Sequence, residues 1–450
     1  MINKIFIDFG YKSTNKWSKH QTICDFFVPL PTINPIISMQ QLQQDTVQPS
    51  QPMCTAIIGG GAAGFFLAIN LKEFCPKMKV TIFERSKRVL SKVEVSGGGR
   101  CNCTNSFAEV KDLSAVYPRG HRLMKRLMKG FSQHEAYKWF ELHGVRLVTQ
   151  EDQCVFPMSQ DSHTIINCFL SEARKYGIEI RTESKISSLN ELSDYDFIAV
   201  TTGGSPKAEG LRWLTDKGHE IEQPVPSLFT FQIQDTTLQA LMGTVVEGVM
   251  AMITGTKLRA EGPLLITHWG MSGPAILKLS SYAARHLAEH GYQAPMAVNW
   301  TGYRDIEVME ELNDILIRHP QKQVQTITPC GLPSRLWTYL LQKCLGQRCN
   351  SRWGTLNQKE LHRLANQLSG GDIYQIAGRA AFKDEFVTCG GIALSAVNPS
   401  TLESRHVPHL YFAGEVLDID GITGGFNFQA AWTTAYTVAV AIAKEAADNV

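Results

Sequence analysis

The rhythm of apolar residues changes sharply at Met53. Before it, the stretch from Met39 to Pro52 is rich in Gln and Pro and carries no apolar period, so residues 1–52 read as a flexible tail. After it, Thr55–Ile58 is a short apolar run, Phe65–Phe74 repeats with a helical period, and Val80–Phe83 is a second apolar run ending at Glu84. Two strands separated by one helix predict a βαβ unit and hence a parallel sheet. Phe197–Thr201 predicts another strand, running into Gly203 and Gly204. Strand-like runs then dominate from Pro224 to Trp300: Leu228–Ile233, Val245–Ile253 and Leu264–Thr267. A helix is expected near Ser272, with Pro274 in its first turn, where a missing N–H does no harm. Ile306–Arg318, Leu336–Cys344 and Lys359–Leu368 predict helices, and after Phe386 a strand at Leu410–Ala413 precedes a long final helix.

This pattern predicts an α/β fold in which one domain is interrupted twice. Its first part spans 53–223 and its last part 373–450, with a β-rich insertion at 224–303 and a helical insertion at 304–372. Met53 stands directly before the first convincing strand, and nothing in the fold argument needs the residues ahead of it. The longest apolar stretch, Ala430–Ala443, is too short to span a bilayer and contains Thr433, Thr434 and Thr437, so it reads as a buried helix.

Charge alters this picture little. With 44 basic and 42 acidic groups the formal net charge is +2, which gives no electrostatic reason to expect DNA or RNA as a partner. A basic run, Arg119 to Lys129, interleaves Leu123, Met124, Leu127 and Met128 at helical spacing and reads as an amphipathic surface helix. The 11 cysteines are odd in number and follow no framework spacing, and the N-terminus has no apolar signal-peptide core, so a reducing cytoplasm is the expected compartment. No HExxH or paired CxxC occurs, so no metal is expected.

Three motifs carry chemistry. In Gly59-x-Gly61-x-x-Gly64 the glycines serve a tight turn, close approach of backbone to a pyrophosphate, and close packing of helix on strand. The helix that follows presents free N–H groups and its dipole to phosphates, and Glu84, at the end of the next strand, is placed for the adenosine ribose hydroxyls. In Ser96-Gly-Gly-Gly-Arg-Cys-Asn-Cys-Thr-Asn105 three consecutive glycines suit backbone passing close to something flat or anionic, although a plain loop would also use them. The third motif is the strand Leu410–Ala413, then Gly414-Glu415, then a Gly-rich loop opening a helix near Gly425, Phe426 and Asn427. At a flavin, Glu415 can bond the ribityl chain, and the helix tip can face the ring edge where negative charge builds on reduction.

Four stretches together resemble the YhiN-type bacterial flavoproteins, a family that includes enzymes described as aminoacetone oxidases and a proposed bile-acid-pathway flavin reductase. They are Ile57–Gly64; Ser96–Asn102 with Thr104-Asn105; Gly262–Pro274; and Thr388–Gly391 through Asn427. The resemblance covers Met53 to the C-terminus. It implies an FAD-binding Rossmann-like domain, discontinuous in sequence, with a β-barrel-like domain and a small helical domain inserted. It also implies FAD contacts from Gly59, Gly61, Ala62, Ala63, Gly64, Glu84, Arg85 and Lys92. Further contacts would come from the loop Ser96, Gly97, Gly98, Gly99, Arg100, Cys101 and Asn102. Ile186, Thr202, Gly203, Gly414, Glu415, Gly425, Phe426 and Asn427 complete the set. The segment Ser205–Leu211 departs from the family, whose members usually carry a longer Gly/Thr-containing loop there.

Two further residues invite chemistry. Cys101-Asn-Cys103 would close a strained ring if bridged, which argues against a redox pair. His268, between a strand and the Gly270–Pro274 helix entry, is a candidate acid/base near substrate, or a histidine bonded to backbone at a domain junction. The leading expectation is an FAD-dependent oxidoreductase exchanging a hydride between flavin and a small organic substrate held between the Rossmann-like and β-rich domains. With only one GxGxxG, NAD(P)H would visit transiently as electron donor, or oxygen would reoxidise the flavin. Two other classes stay open: a flavoprotein of nucleic-acid (tRNA) modification, which predicts a basic face and an RNA-binding extension, and a non-catalytic flavin-binding protein.

Overall fold

The computed structural model describes residues 52–205, 208–380 and 387–448. The tail expected over 1–52 lies outside them except for Pro52, as do Pro206 and Lys207 of the departing segment.

Apolar runs of the first part form strands because they are buried on both faces. Cys54–Ile58 (β1) leads into the helix Ala62–Phe74 (α1) and returns as Lys79–Phe83 (β2). The chain continues through Ser91–Gly99 (α2), Thr104–Asn105 (β3), His121–Leu127 (α3) and Gln133–Leu142 (α4). Leu147–Thr149 (β4), Cys154–Pro157 (β5), His163–Lys175 (α5), Glu179–Arg181 (β6) and Phe197–Val200 (β7) complete it. The α3 helix buries Leu123, Met124 and Leu127 and exposes its cations, as an amphipathic surface helix should.

After Arg212–Thr215 (α6), whose Leu214 lies in the first core, come Ile221–Ser227 (β8), Phe231–Ile233 (β9), Thr236–Gln239 (α7), Val245–Ile253 (β10) and Arg259–Thr267 (β11). Gly270–Ser272 (β12), Pro274–Tyr282 (α8), Ala284–Glu289 (α9) and Ala294–Asn299 (β13) follow. The helices Asp305–Arg318 (α10), Ser334–Leu345 (α11) and Gln358–Leu368 (α12) lead to the long strand Ser369–Arg379 (β14). Val387–Ile392 (β15), Leu410–Phe412 (β16) and Phe426–Asp448 (α13) return the chain to the first domain.

The central sheet is parallel, in the order β16-β7-β1-β2-β6, so the late strand β16 extends a sheet built by the early ones. Helix α1 lies buried along most of its length, with Phe65, Phe66, Leu67 and Ile69 fully covered, and it packs against α13. The insertion closes a six-stranded barrel, β10-β11-β12-β9-β14-β13, with its own core that runs on into α10–α12.

Two expectations shift. The run Leu228–Ile233 is broken, because Leu228 turns at φ 55° between β8 and β9. The boundary expected between 372 and 373 falls inside β14, which pairs with β13 and β9, so the barrel closes only after the helical segment has been inserted. No helix among the described residues is long and apolar enough to cross a membrane.

Candidate functional site

The site begins at the carboxyl ends of β1, β2 and β7. A side chain at Gly59 (φ 117°) would put its Cβ 2.4 Å from the Thr201 carbonyl oxygen, and one at Gly64 would meet the Gly59 carbonyl oxygen at 2.1 Å. These two glycines are needed by the protein itself, for strand approach and for helix packing. Gly61 differs. It is the N-cap of α1, has ordinary extended backbone (φ −94°, ψ −168°), and a Cβ there would meet nothing within 4 Å. Its neighbours Ala62 and Ala63 open the helix with no side-chain cap and no acidic residue in the first turn, so no side chain of the helix start takes up its N–H groups. Space bounded by a glycine and a bare helix tip fits a diphosphate.

Glu84 follows β2 directly. One carboxylate oxygen accepts from the Gly60 N–H at 2.9 Å and the other from the Ser86 N–H and hydroxyl at 2.8 and 2.7 Å. The carboxylate is thereby held beside the turn it is expected to serve. Arg85 is exposed, while Ile186 is half-buried on the core after β6. The neighbouring Ser184 N–H donates to the Glu84 carbonyl at 2.8 Å. Thr202 is exposed at the end of β7, and Gly203 (φ 73°) lies 3.7 Å, measured from a notional Cβ, from a Glu415 carboxylate oxygen.

The second motif is not a regular helix end. Gly97, Gly98 and Gly99 all take left-handed backbone (φ 57°, 67° and 83°), and Cβ atoms at Gly98 and Gly99 would meet nothing. Ser96 (φ −65°, ψ 147°) leaves helical geometry and accepts from the Cys101 N–H at 3.0 Å, closing the loop behind. Arg100 lies over the Phe156 ring at 4.2 Å, a cation–π contact, and its Nε donates to the Gly97 carbonyl at 3.2 Å. Cys101 and Cys103 are fully buried free thiols, and burial drives the Cys101 pKa up to about 12, which suits packing rather than redox exchange.

What joins the chain's two ends is a seam of hydrogen bonds. With the Asn102 amide oriented to suit its partners, its NH2 donates to the Thr104 carbonyl at 2.9 Å and its oxygen accepts from the Gly425 N–H at 3.2 Å. The Thr104 hydroxyl donates to Gln429 Oε1 at 2.6 Å, Asn105 donates to the Gly424 carbonyl at 3.0 Å, and the Trp432 indole donates to the Cys103 carbonyl at 2.7 Å. The Tyr117 hydroxyl donates to the Phe426 carbonyl at 2.8 Å. Asn427 grips the Gly421 backbone through both amide atoms, at 2.8 and 2.9 Å, so its side chain shapes the loop rather than reaching outward.

Glu415 is the charged centre of this seam. It pairs with Lys92 at 3.0 Å across 323 residues and accepts from the Thr388 N–H at 2.7 Å. Burial pushes its pKa up, but Lys92 and the Thr388 and Gly204 N–H groups outweigh burial and hold the carboxyl below its ordinary value. Gly414 packs against α1, where a Cβ would fall 2.9 Å from that of Ala63. Thr388 and Gly204 were absent from the sequence-derived contacts. The Thr388-Cys-Gly-Gly391 motif was the available signal for the first.

His268 stands apart from these groups. It is exposed in the turn between β11 and β12, with its ring 3.9 Å from that of Trp269. Asp420, by contrast, is fully buried and bonded to the Arg119 guanidinium and the Ser227 hydroxyl. Burial works against the Arg119 charge, and the Asp420 carboxylate outweighs it, raising its pKa further.

The chain is similar to known proteins over most of its described length. The profile of the HI0933-like protein Rossmann domain matches residues 53–441. The ribosomal RNA dihydrouridine synthase of Escherichia coli (strain K12) is 28% identical over 404 residues, covering 85% of this chain and 96% of that protein. The 3-dehydro-bile acid delta(4,6)-reductase of Clostridium scindens is 25% identical over 416 residues, covering 86% of this chain and 98% of that protein. Among solved structures, 3-ketosteroid delta1-dehydrogenase from Sterolibacterium denitrificans aligns with 88% of this chain and 100% of its own, at 10% identity and a TM-score of 0.44.

Proposed function

The chain belongs to the HI0933-like family and is a flavin-dependent oxidoreductase, and from that premise we propose that it is an FAD-dependent reductase of carbon–carbon double bonds conjugated to a carbonyl, working in a reducing cytoplasm. The observation that carries this reading is the seam: residues more than 300 positions apart, Lys92 with Glu415 and Thr104 with Gln429, meet across one line of hydrogen bonds beside the glycine turn. A dihydrouridine synthase and a delta(4,6)-reductase both name the saturation of such a bond, so a shared pocket chemistry accounts for both relatives.

When bound, FAD supplies hydride exchange at its N5. The protein's own part is placement and field. The first turn of α1, at Ala62, Ala63 and Gly64, offers N–H groups to the pyrophosphate, and Glu84 offers an acceptor to ribose hydroxyls. Glu415, fixed by Lys92 and the Thr388 N–H, offers its carboxylate to the ribityl chain. The tip of α13 carries roughly half a positive charge and would favour negative charge on a flavin bound beside it. Gly98 and Gly99, where a side chain would meet nothing, would let the cofactor approach the backbone closely. NAD(P)H is the proposed donor.

The test is an anaerobic titration of purified holoprotein with NADPH and then NADH, followed by an enone or a uridine-containing substrate. Bleaching of the flavin, then recovery of colour on substrate addition with formation of the saturated product, is expected. A flavin that bleaches but regains colour only with oxygen would sink the reductase reading.

A further inference from the structure

We propose that a depression on the helical insertion binds a small organic anion, a molecule carrying a phosphate group or several carboxylates. Its main wall is α12, which turns Leu361, Leu364, Ala365 and Leu368 into the second core. The opposite stripe of the same helix, Lys359, His362, Arg363 and Gln367, lines a cavity of about 500 Å³ together with Lys343 of α11 and Asp372 of β14. That volume lies within the range of small-molecule sites.

The charge in this cavity is positive and unspent. Asp372 is satisfied from inside: it accepts from Lys343 Nζ at 2.6 Å, the Trp300 indole at 2.7 Å and the Tyr374 hydroxyl at 2.6 Å. Glu360, the acid on α12 itself, pairs with Arg348 at 3.2 Å. Lys359 and Arg363 are both exposed, and among the described residues neither has an ion pair. Like charges one helical turn apart repel, and an anion seated between them reverses the sign of that interaction. His362 faces the Gln358 carbonyl with Nδ1 at 2.7 Å, which leaves its Nε2 without a partner among the described residues.

A cationic stripe on an amphipathic helix is ordinarily no more than a solvated face. Gln367 sets this one apart. It lines the same cavity, is only 8% exposed, and its amide NH2 has no acceptor among the described residues. Buried amides are nearly always satisfied, and oxygen atoms of a ligand held by Lys359 and Arg363 would supply what this one lacks. The floor is tight. A side chain at Gly371 would put its Cβ 2.0 Å from Asn366 Oδ1, so β14 leaves the end of α12 in close contact with it.

The cavity is tied to the barrel. Tyr374, bonded to Asp372, stands with its hydroxyl 3.3 Å from that of Tyr339, which donates to Asp235 at 2.8 Å. Asp235 in turn caps α7, directly after β9. An occupant beside Lys343 therefore bears on the polar network of the second core, and the proposal does not depend on the reductase reading.

The experiment is isothermal titration calorimetry with inorganic phosphate, adenosine monophosphate and citrate at constant ionic strength. The protein is loaded with flavin, so that the space proposed for the diphosphate is not the one titrated. The natural protein is compared with Lys359→Gln/Arg363→Gln, with Gln367→Met, and with Lys125→Gln/Lys129→Gln on α3 as a control. Binding of adenosine monophosphate or citrate at one site is expected, and the tighter of the two names the preferred group. The α12 double variant should weaken it about tenfold or more, Gln367→Met about threefold or more, and the α3 control not at all. Hydrogen exchange then places the ligand: peptides of α12 and the start of β14 should slow on its addition, and those of α13 should not. No heat with any of the three anions, equal affinity in the natural protein and the α12 double variant, or slowing confined to α13 would each overturn the proposal. Binding of long-chain polyphosphate with none of the three small anions would mark a general polyanion face and overturn it too. Should Gln367→Met fail to fold, the double variant, whose two side chains are exposed, still decides.

Discussion

Glycines that look alike in a motif do different work at the residue scale, and the difference can be measured. Gly64 has no room for a methyl group, since its Cβ would sit 2.1 Å from the Gly59 carbonyl oxygen. Gly61 has room on the protein side and backbone angles any residue adopts. Gly64→Ala is therefore expected to lower stability by about 3 kcal/mol, from overpacking against backbone. Gly61→Ala should cost the apoprotein less than about 1 kcal/mol, yet weaken FAD at least tenfold if, as proposed, the space it fills is the cofactor's. Chemical denaturation of apoprotein beside a flavin titration separates the two. Equal effects of Gly61→Ala on both readouts would remove the assignment of that space to a diphosphate.

His143, also a matter of single residues, carries a pH dependence of known sign. Its Nδ1 faces the Trp139 carbonyl at 2.7 Å and its Nε2 the Glu73 carboxylate at 3.0 Å, so both nitrogens face acceptors and the ring is satisfied fully only when protonated. Burial pulls its pKa down, but Glu73 and the Trp139 carbonyl win and raise it above the ordinary 6.5. A group whose folded pKa exceeds its unfolded one stabilises fully below the unfolded value and loses that contribution as pH climbs through the folded value. His143→Gln should thus cost about 1–2 kcal/mol at pH 6 and less at pH 9. The gap does not close, because the ring also stacks on Trp139 at 3.8 Å. Urea midpoints at the two pH values check this, and an equal gap at both would refute the protonated assignment.

Between elements, the decisive contacts join β3 to α13, and here the sequence is silent about geometry. The Thr104 hydroxyl donates to Gln429 Oε1 at 2.6 Å in a fully buried setting. Gln429 in turn donates to the Thr433 hydroxyl at 3.0 Å. Thr104→Val keeps the shape and strands the Gln429 oxygen, which should cost about 2 kcal/mol and loosen the tip of α13. A lowered thermal midpoint together with weaker flavin binding is expected. Weaker binding without any loss of midpoint would show that the seam does not hold the helix. Both partners lie in stretches that the motif reading had singled out, but nothing in a one-dimensional pattern pairs positions 325 residues apart. Local signals did better. The glycine turn with Glu84 was readable because all its parts lie within one βαβ unit, whose period and punctuation are local. The strand β14 was not, because it starts at Ser369-Gly370-Gly371 and carries the buried Asp372. That charge is tolerated only through Lys343 at 2.6 Å, the Trp300 indole at 2.7 Å and the Tyr374 hydroxyl at 2.6 Å. Leu228, with φ 55°, likewise broke an apolar run that composition alone presents as one strand.

For the molecule as a whole, the two hydrophobic cores differ in what a flavin can do to them. One gathers the sheet, α1 and α13, and the other fills the barrel and α10–α12. The contacts described between them are largely polar: Arg119 to the Ser281 carbonyl at 2.8 Å, Ser227 to Asp420 at 3.2 Å, and Arg285 to Asp418 at 2.9 Å. Such a boundary transmits unfolding less fully than shared apolar packing. On the proposed assignment FAD is held by residues from both ends of the first core's sequence, and it would stabilise that core by mass action, about 2.7 kcal/mol at a hundredfold excess over Kd. Hydrogen exchange should therefore slow in peptides covering β1, β7, β16 and α13 when flavin is added to apoprotein. Peptides from β10, β13 and α11 should exchange at nearly unchanged rates. If protection rose equally in both sets, the two cores would unfold as one cooperative body, and the barrel would have to feel the cofactor through the Arg119–Asp420 pair and its neighbours.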